Sequence, residues 1–176
     1  MDSETPEGTE DVAEEPVRWL DDDQLRAWIN LVKVLLTLPG ALEGQLLRDA
    51  DLTLLGYMIL ARLSVVPGES LSMSEIAEMA NGSLPRISHA VARLESRGWV
   101  TRTVRTGQGR RFTVATLTDA GRAHLEASAP AHVANVRRLV VEPLGSDFAR
   151  LGDAAERIVK VLGLPTSVLS GDATSG

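Results

Sequence analysis

Apolar residues recur every three or four positions in two long segments, one near each end of the chain. Residues 21–38 carry the first pattern, with Leu25, Trp28, Ile29, Val32, Leu35 and Leu36. Residues 147–162 carry the second, with Phe148, Leu151, Ala155, Ile158, Val159 and Leu162. This spacing predicts two amphipathic helices, each needing a partner surface for its apolar face. Pro39-Gly40 is expected to stop or interrupt the first, with another helical stretch over residues 41–49.

The middle of the chain predicts shorter helices joined by tight turns. Residues 53–66 are apolar on most sides, which predicts a helix buried in the core and ended by Pro67-Gly68. Ser72 and Glu75 have the spacing of a capping box, which predicts that a helix over residues 72–80 begins there. Asn81-Gly82 then forms a turn.

The next helix begins with Ser83 as its cap, and Pro85 lies in its first turn. We expect it to bury Ile87, Val91 and Leu94 and to end at Gly98. Two short helices joined by a turn that contains glycine form a helix-turn-helix unit.

A hairpin and further helices follow. Residues 100–105 and 111–117 are rich in Thr and Val, which predicts two strands joined by a flexible basic tip over residues 106–110. Thr118 is expected to cap a helix that runs to about Glu142 and is bent or broken near Pro130. The fold class is therefore mainly α with a small β-hairpin wing.

The positive charge of the chain is concentrated in one stretch. The whole chain has a net charge of -6, yet residues 84–111 contain seven arginines and a single acid, Glu95. Such a basic stretch indicates a surface that binds phosphates. In a helix-turn-helix the second helix enters the major groove of DNA. The candidate DNA-binding residues on that helix are Ser83, Pro85, Arg86, Ser88, His89 and Arg93, and those on the hairpin are Arg105, Arg110 and Arg111.

The remaining composition excludes several other classes of function. The chain lacks cysteine and contains no glycine-rich phosphate loop, G-x-S-x-G or H-E-x-x-H motif, so we predict neither an enzyme nor a bound cofactor. His89, His124 and His132 have no acid pair beside them that would complete a metal site. No uninterrupted apolar run is long enough to span a membrane, and the acidic start is unlike a signal peptide, so we expect a cytoplasmic protein.

The sequence resembles the MarR family of winged helix-turn-helix regulators over about residues 21–162. The resemblance is most specific in MSEIAEMANGSLPRISHAVARLESRGWVTR and in TLTDAGRAHL, which follows the hairpin. It implies a homodimer that binds a pseudo-palindromic operator in double-stranded DNA and usually represses transcription. It also implies a phenolic or otherwise lipophilic effector, for which Trp28, Tyr57 and Arg62 are candidate pocket residues; core packing is the simpler role for the aromatic side chains.

This reading divides the chain into five parts. We expect an acidic disordered tail over residues 1–20, dimerisation helices over 21–50 and a winged helix-turn-helix domain over 51–118. C-terminal dimerisation helices over 119–163 and a flexible tail over 164–176 complete the chain.

Two matters stay open at this stage. The hairpin tip of the family usually carries an aspartate before its arginine, whereas this chain has Gly109-Arg110-Arg111, so the groove-reaching role transfers to either arginine. The alternative function is a winged-helix module that binds another protein without specific DNA binding.

Overall fold

A computed structural model describes residues 17–107 and 109–164, so most of the predicted acidic tail and nearly all of the predicted C-terminal tail lie outside the described residues. The helices are α1 (Asp22–Ala50), α2 (Leu54–Val65), α3 (Met73–Met79), α4 (Leu84–Ser96), α5 (Asp119–Val136), α6 (Glu142–Leu144) and α7 (Asp147–Val161). The strands are β1 (Ser70–Ser72), β2 (Val100–Gly107) and β3 (Arg110–Leu117). The mainly helical fold with a small hairpin is thus confirmed.

Helix α1 is a single helix, although Pro39 lies inside it. The expectation that Pro39-Gly40 stops or interrupts the helix is wrong. Pro39 has no backbone N–H, so the Leu35 carbonyl loses its helical hydrogen bond. Leu35 is 59% exposed, so water can replace that bond. The chain divides into two compact units within this helix, residues 1–36 and residues 37–176.

The core of the second unit is built from the end of α1, from α2, α3 and α4, and from the base of the hairpin. Helix α2 begins with the Thr53 hydroxyl accepting a hydrogen bond from the Gly56 amide at 3.0 Å. The fully buried side chains are contributed by successive elements, and they are Leu46, Leu52, Ile59, Leu60, Leu63, Ile76, Ile87, Val91 and Val100. The prediction that α2 is a core helix is confirmed.

The sheet has three strands in the order β1-β3-β2, all antiparallel. Strand β1 was not predicted, because it has only three residues, the last of which is the helix cap Ser72, and so shows no alternation of its own. It exists because β3 runs beside it, with Ser70 opposite Thr116 and their hydroxyls 2.8 Å apart. The hairpin strands are also longer than predicted, and they pair out to Gly107 and Arg110.

Two of the three predicted helix caps form with their side chains. Ser72 and Glu75 make both bonds of the capping box, and Thr118 accepts from the Gly121 amide at 3.0 Å. Ser83 occupies the cap position of α4, but its hydroxyl makes no cap hydrogen bond. The expectation that Ser83 caps α4 therefore holds for position and fails for the side chain, which stays exposed.

Helix α5 passes through Pro130 and is not broken there. The regular α-helix ends instead at Val136, where a π-helix over Arg137–Val141 leads into α6. Of the two predicted alternatives, a bend or a break near Pro130, the break is thus wrong. Helix α7 closely matches its prediction, but most of its large apolar side chains are exposed.

Long apolar side chains on α1 and α7 are exposed. On α1 they include Leu25, Trp28, Ile29, Val34, Leu35 and Leu36, and on α7 they include Phe148, Leu151, Ile158 and Val161. Within the described residues, α1 alone is long and apolar enough to cross a bilayer by length and composition. That is weak support for a membrane span, since contiguous exposed apolar surface equally marks a site where a partner protein binds.

Gly121 is where the start of α5 meets the base of the hairpin. A Cβ at this position would lie 2.0 Å from the Trp99 carbonyl oxygen, which is a backbone atom and cannot rotate away. We predict that Gly121→Ala lowers the free energy of unfolding by about 3 kcal/mol or more, because the backbone has to move. Urea denaturation measures this. Gly152→Ala is the control, since a Cβ there meets nothing within 4 Å; equal stability of the two variants would contradict the packing described.

Candidate nucleic-acid interface

The turn between α3 and α4 sets the angle of the second helix. Asn81 adopts a left-handed conformation with φ of 43°, and the Gly82 amide donates to the Ala77 carbonyl at 2.9 Å. A Cβ on Gly82 would lie 3.3 Å from Ile87 Cδ1, so the turn packs directly on the buried face of α4. The predicted helix-turn-helix is present.

The buried stripe of α4 consists of Ile87, Val91 and Leu94, as predicted. Because these three side chains point into the core, the opposite face of the helix points to solvent. All six candidate residues of this helix segment are exposed: Ser83, Pro85, Arg86, Ser88, His89 and Arg93. Major-groove readers need such an outward face.

The end of α4 directs the chain into the hairpin. Gly98 takes a left-handed conformation with φ of 74°, its amide donates to the Glu95 carbonyl at 2.8 Å, and the Trp99 amide donates to the Leu94 carbonyl at 3.0 Å. These two bonds form the Schellman motif that glycine permits. Strand β2 therefore starts one residue after the helix terminus is satisfied, which keeps the hairpin next to α4.

Strand pairing places Arg110 and Arg111 on opposite faces of the hairpin. Side chains alternate between the faces of a strand, so Arg111 shares a face with the buried Ala115 and Leu117. Arg110 shares the other face with Phe112 and with Arg105, which lies directly opposite Phe112. The three candidate arginines of the hairpin are all exposed. The sequence left Arg110 and Arg111 equivalent; the register distinguishes them.

Two of the seven arginines in the basic stretch are neutralised within the chain. The Arg97 guanidinium pairs with Asp51 and lies 5.8 Å from the centroid of the Trp99 ring. Arg102 pairs with Glu95. Within residues 17–107 and 109–164, the other five form no ion pair: Arg86, Arg93, Arg105, Arg110 and Arg111. These five cations remain available to phosphates or bases, and all five were candidates from the sequence.

The candidate effector residues are distributed differently. Trp28 lies on the first part of α1 and is 52% exposed, so core packing within the chain does not explain it. Tyr57 and Arg62 are half-buried on α2, five residues apart and hence on different sides of the helix. The Tyr57 ring lies 4.4 Å from the His132 ring, and burial raises the pKa of its hydroxyl.

Two histidines of α5 hold that helix against the rest of the second unit, a role that sequence reasoning missed. The His124 ring stacks on Trp99 with centroids 3.9 Å apart, and its Nε2 lies 2.9 Å from the Ala50 carbonyl oxygen. His132 Nδ1 lies 3.2 Å from Gln45 Oε1, and burial lowers the pKa of its imidazole. Neither histidine stands in a group of possible metal ligands among the described residues.

Comparison with known proteins decides what kind of protein carries this surface. The MarR family model matches residues 50–111, which span the helix-turn-helix and most of the hairpin. Sco3205 from Streptomyces coelicolor, a MarR family transcriptional regulator solved in complex with DNA, is 34% identical with a TM-score of 0.77. That match covers 88% of this chain and 96% of Sco3205.

The chain belongs to the MarR family.

Further matches agree with this assignment. AbsC, another MarR family regulator from S. coelicolor, is 33% identical with a TM-score of 0.76, and the match covers 84% of this chain and 99% of AbsC. CouR from Rhodococcus jostii, solved with p-coumaroyl-CoA, is 19% identical with a TM-score of 0.64 over 77% of this chain and 90% of CouR, which shows the fold alone. A comparison with curated proteins gave no match. This MarR family protein is thus a DNA-binding transcriptional regulator with a winged helix-turn-helix.

The hairpin arginines give a testable prediction. Replacing Arg110 and Arg111 together by alanine should weaken binding to most duplex sequences and flatten the salt dependence, because each phosphate contact contributes about 0.9 to the slope of log K against log salt. Fluorescence anisotropy over a salt series measures both. Arg150→Ala with Arg157→Ala removes the same charge from α7 and serves as the control. Unchanged affinity and slope in the hairpin variant would refute its contact with DNA.

The α4 arginines give a second prediction. If Arg86 or Arg93 reads a base, its replacement by alanine should cost about 1–3 kcal/mol at one base position and relax the preference there. Binding to a set of duplexes that differ at single positions measures this. A loss of equal size for every duplex would instead assign that arginine to phosphate.

Proposed function

We propose that this regulator binds a pseudo-palindromic operator as a homodimer and represses transcription from the adjoining promoter. The observation that supports it most is the set of five exposed arginines on α4 and the hairpin, which form no ion pair with any residue that the structure describes, in an otherwise acidic chain. An acidic protein as a whole does not favour polyanions, so a concentrated cationic surface indicates a specific place for DNA.

The exposed apolar faces support the dimer. Residues such as Leu36 on α1 and Ile158 on α7 are long apolar side chains that the rest of the chain does not cover. Burying them against a second copy removes apolar area from water, at about 25 cal/mol per Å². A second copy is a suitable partner, because a two-fold interface pairs the same surface of each subunit.

A dimer also explains how one short helix reaches useful affinity. Two copies of α4 related by a two-fold axis would enter successive major grooves about 34–36 Å apart, so the operator should repeat in inverted orientation at that spacing. A protein seated across such a site near a promoter blocks access to it, and repression is the usual direction in the family that the sequence resembles. A regulator with this role acts where the genome is, so we place it in the cytoplasm.

Release by a small phenolic or lipophilic molecule completes the proposal. It is supported by the family resemblance and by relatives such as CouR, although CouR is similar to this chain in fold alone. Trp28, Tyr57 and Arg62 remain the candidate residues for contacting such an effector. Titration of the protein–operator complex with phenolic acids tests it, since an effector must bind the free form more tightly to displace DNA.

The salt dependence of DNA binding distinguishes this function from the competing one, a winged helix that binds another protein. A DNA reader that contacts several phosphates loses affinity steeply as salt rises, and it prefers one sequence over a scrambled duplex. Selection of bound fragments from the source genome, followed by anisotropy with the enriched duplex, tests the proposal. Failure to enrich any sequence would refute specific DNA binding.

The dimer gives its own prediction. Ile158→Asp should convert the dimer to monomers, because it places an uncompensated charge in the apolar face of α7. Sedimentation velocity at micromolar concentration measures the assembly, and binding to a two-half-site duplex should fall toward that of a single half-site. Arg157→Asp, at the neighbouring exposed position, is the control. A wild-type monomer with full DNA binding would refute the dimer.

A further inference from the structure

Glu95, the single acid in the basic stretch, bridges α4 to β2. Glu95 Oε2 accepts from Arg102 Nε at 2.8 Å, and its Oε1 accepts from the Arg102 backbone amide at 3.2 Å. One carboxylate thus binds both the side chain and the main chain of the same residue. The hydrogen bond from the Arg102 side chain, more than any other cause, lowers the pKa of the Glu95 carboxyl, so it is charged at neutral pH.

The position of this contact in the sheet is what gives it a role. The strand order is β1-β3-β2, so β2 is an edge strand whose outer side has no neighbouring strand among the described residues. The Arg102 amide points to that outer side, where it has no ladder partner. Glu95 accepts its hydrogen bond and links the outer edge of the hairpin to α4.

The opposite edge of the hairpin is held only near its base. Strand β1 pairs with β3 over Thr116, Ala115 and Val114, and beyond Val114 the two hairpin strands pair only with each other. Arg102 lies opposite Ala115, inside the three-stranded part. From Arg102 to Gly107 the strand extends five residues, or about 17 Å at about 3.4 Å per residue. A rotation of about 10° at the base would therefore move the tip by about 3 Å.

We propose that Glu95 is a positioning residue that holds the arginine-bearing hairpin tip at the angle to α4 required for both to contact one duplex. The role rests on the proposed DNA-binding function. This role also explains how the hairpin tip can lack an acid. The hairpin is fixed at its base, so the tip keeps its positive charge for DNA.

Simple electrostatics predicts the opposite effect of removing this acid. An exposed ion pair contributes little to stability, and here the side chains of Arg102 and Glu95 are 32% and 35% exposed. Removing Glu95 also makes the DNA-facing surface more positive and frees Arg102 for phosphate, which should raise affinity. The positioning role predicts a loss of affinity in spite of that gain in charge, so the sign of the change separates the two.

The test measures binding of Glu95→Gln and Glu95→Ala to the duplex that wild type enriches from a random-sequence library. We expect a loss of about two- to fivefold, larger for alanine, since glutamine can still accept the Arg102 amide bond. Arg102→Gln should lose a similar factor, and the double variant should lose no more than the larger single loss. Glu156→Gln is the matched control, because it breaks a carboxylate–lysine pair within α7, with Lys160 Nζ 2.8 Å away.

A readout without DNA completes the experiment. Amide hydrogen exchange of β2 and β3 in the free protein should be faster in Glu95→Ala than in wild type or Glu156→Gln, with α4 unchanged. Affinity that is equal or higher in both Glu95 variants, or hairpin exchange that does not change, overturns the positioning role. A wild-type protein that enriches no duplex overturns the proposed function instead, and the exchange comparison still decides whether Glu95 fixes the hairpin.

Discussion

Burial of Ile87, Val91 and Leu94 determines which way the arginines of α4 point. A helix has only one angular position in which all three side chains reach the core, and that position leaves Arg86 and Arg93 in solvent. The direction of the face that we propose reads DNA is therefore set by hydrophobic burial on the other side of the same helix. The Schellman motif at Gly98 then passes that orientation to the hairpin.

The charge distribution leaves few acids on the surface that we propose binds phosphates. Two arginines of the basic stretch are paired, and both pairs lie where α4 ends and the hairpin begins. The arginines nearer the start of α4 and nearer the hairpin tip have no such partners among the described residues. The paired arginines and the arginines proposed to face DNA thus come from one stretch of sequence. They differ in whether an acid lies beside them.

Local signals in the sequence predicted the local features, and contacts between distant segments account for what was missed. The capping box at Ser72, the left-handed Gly98 and the inward stripe of α4 each depend on a few neighbouring residues, so their patterns were sufficient. Strand β1 depends on β3, some forty residues later, and no pattern within Ser70–Ser72 reveals it. The helix break expected at Pro39 does not occur, because the hydrogen bond that this proline removes can be replaced by water.

The register of the hairpin limits how its length can vary over generations. Because side chains alternate, adding one residue to each strand between the base and the tip would keep the pairing but exchange the faces on which Arg110 and Arg111 project, whereas adding two residues to each strand would keep both faces and lengthen the hairpin by about 6.8 Å. The arginines can therefore extend farther without changing faces only when each strand gains two residues. Related regulators that keep these faces without a β-bulge should differ by two residues in each strand.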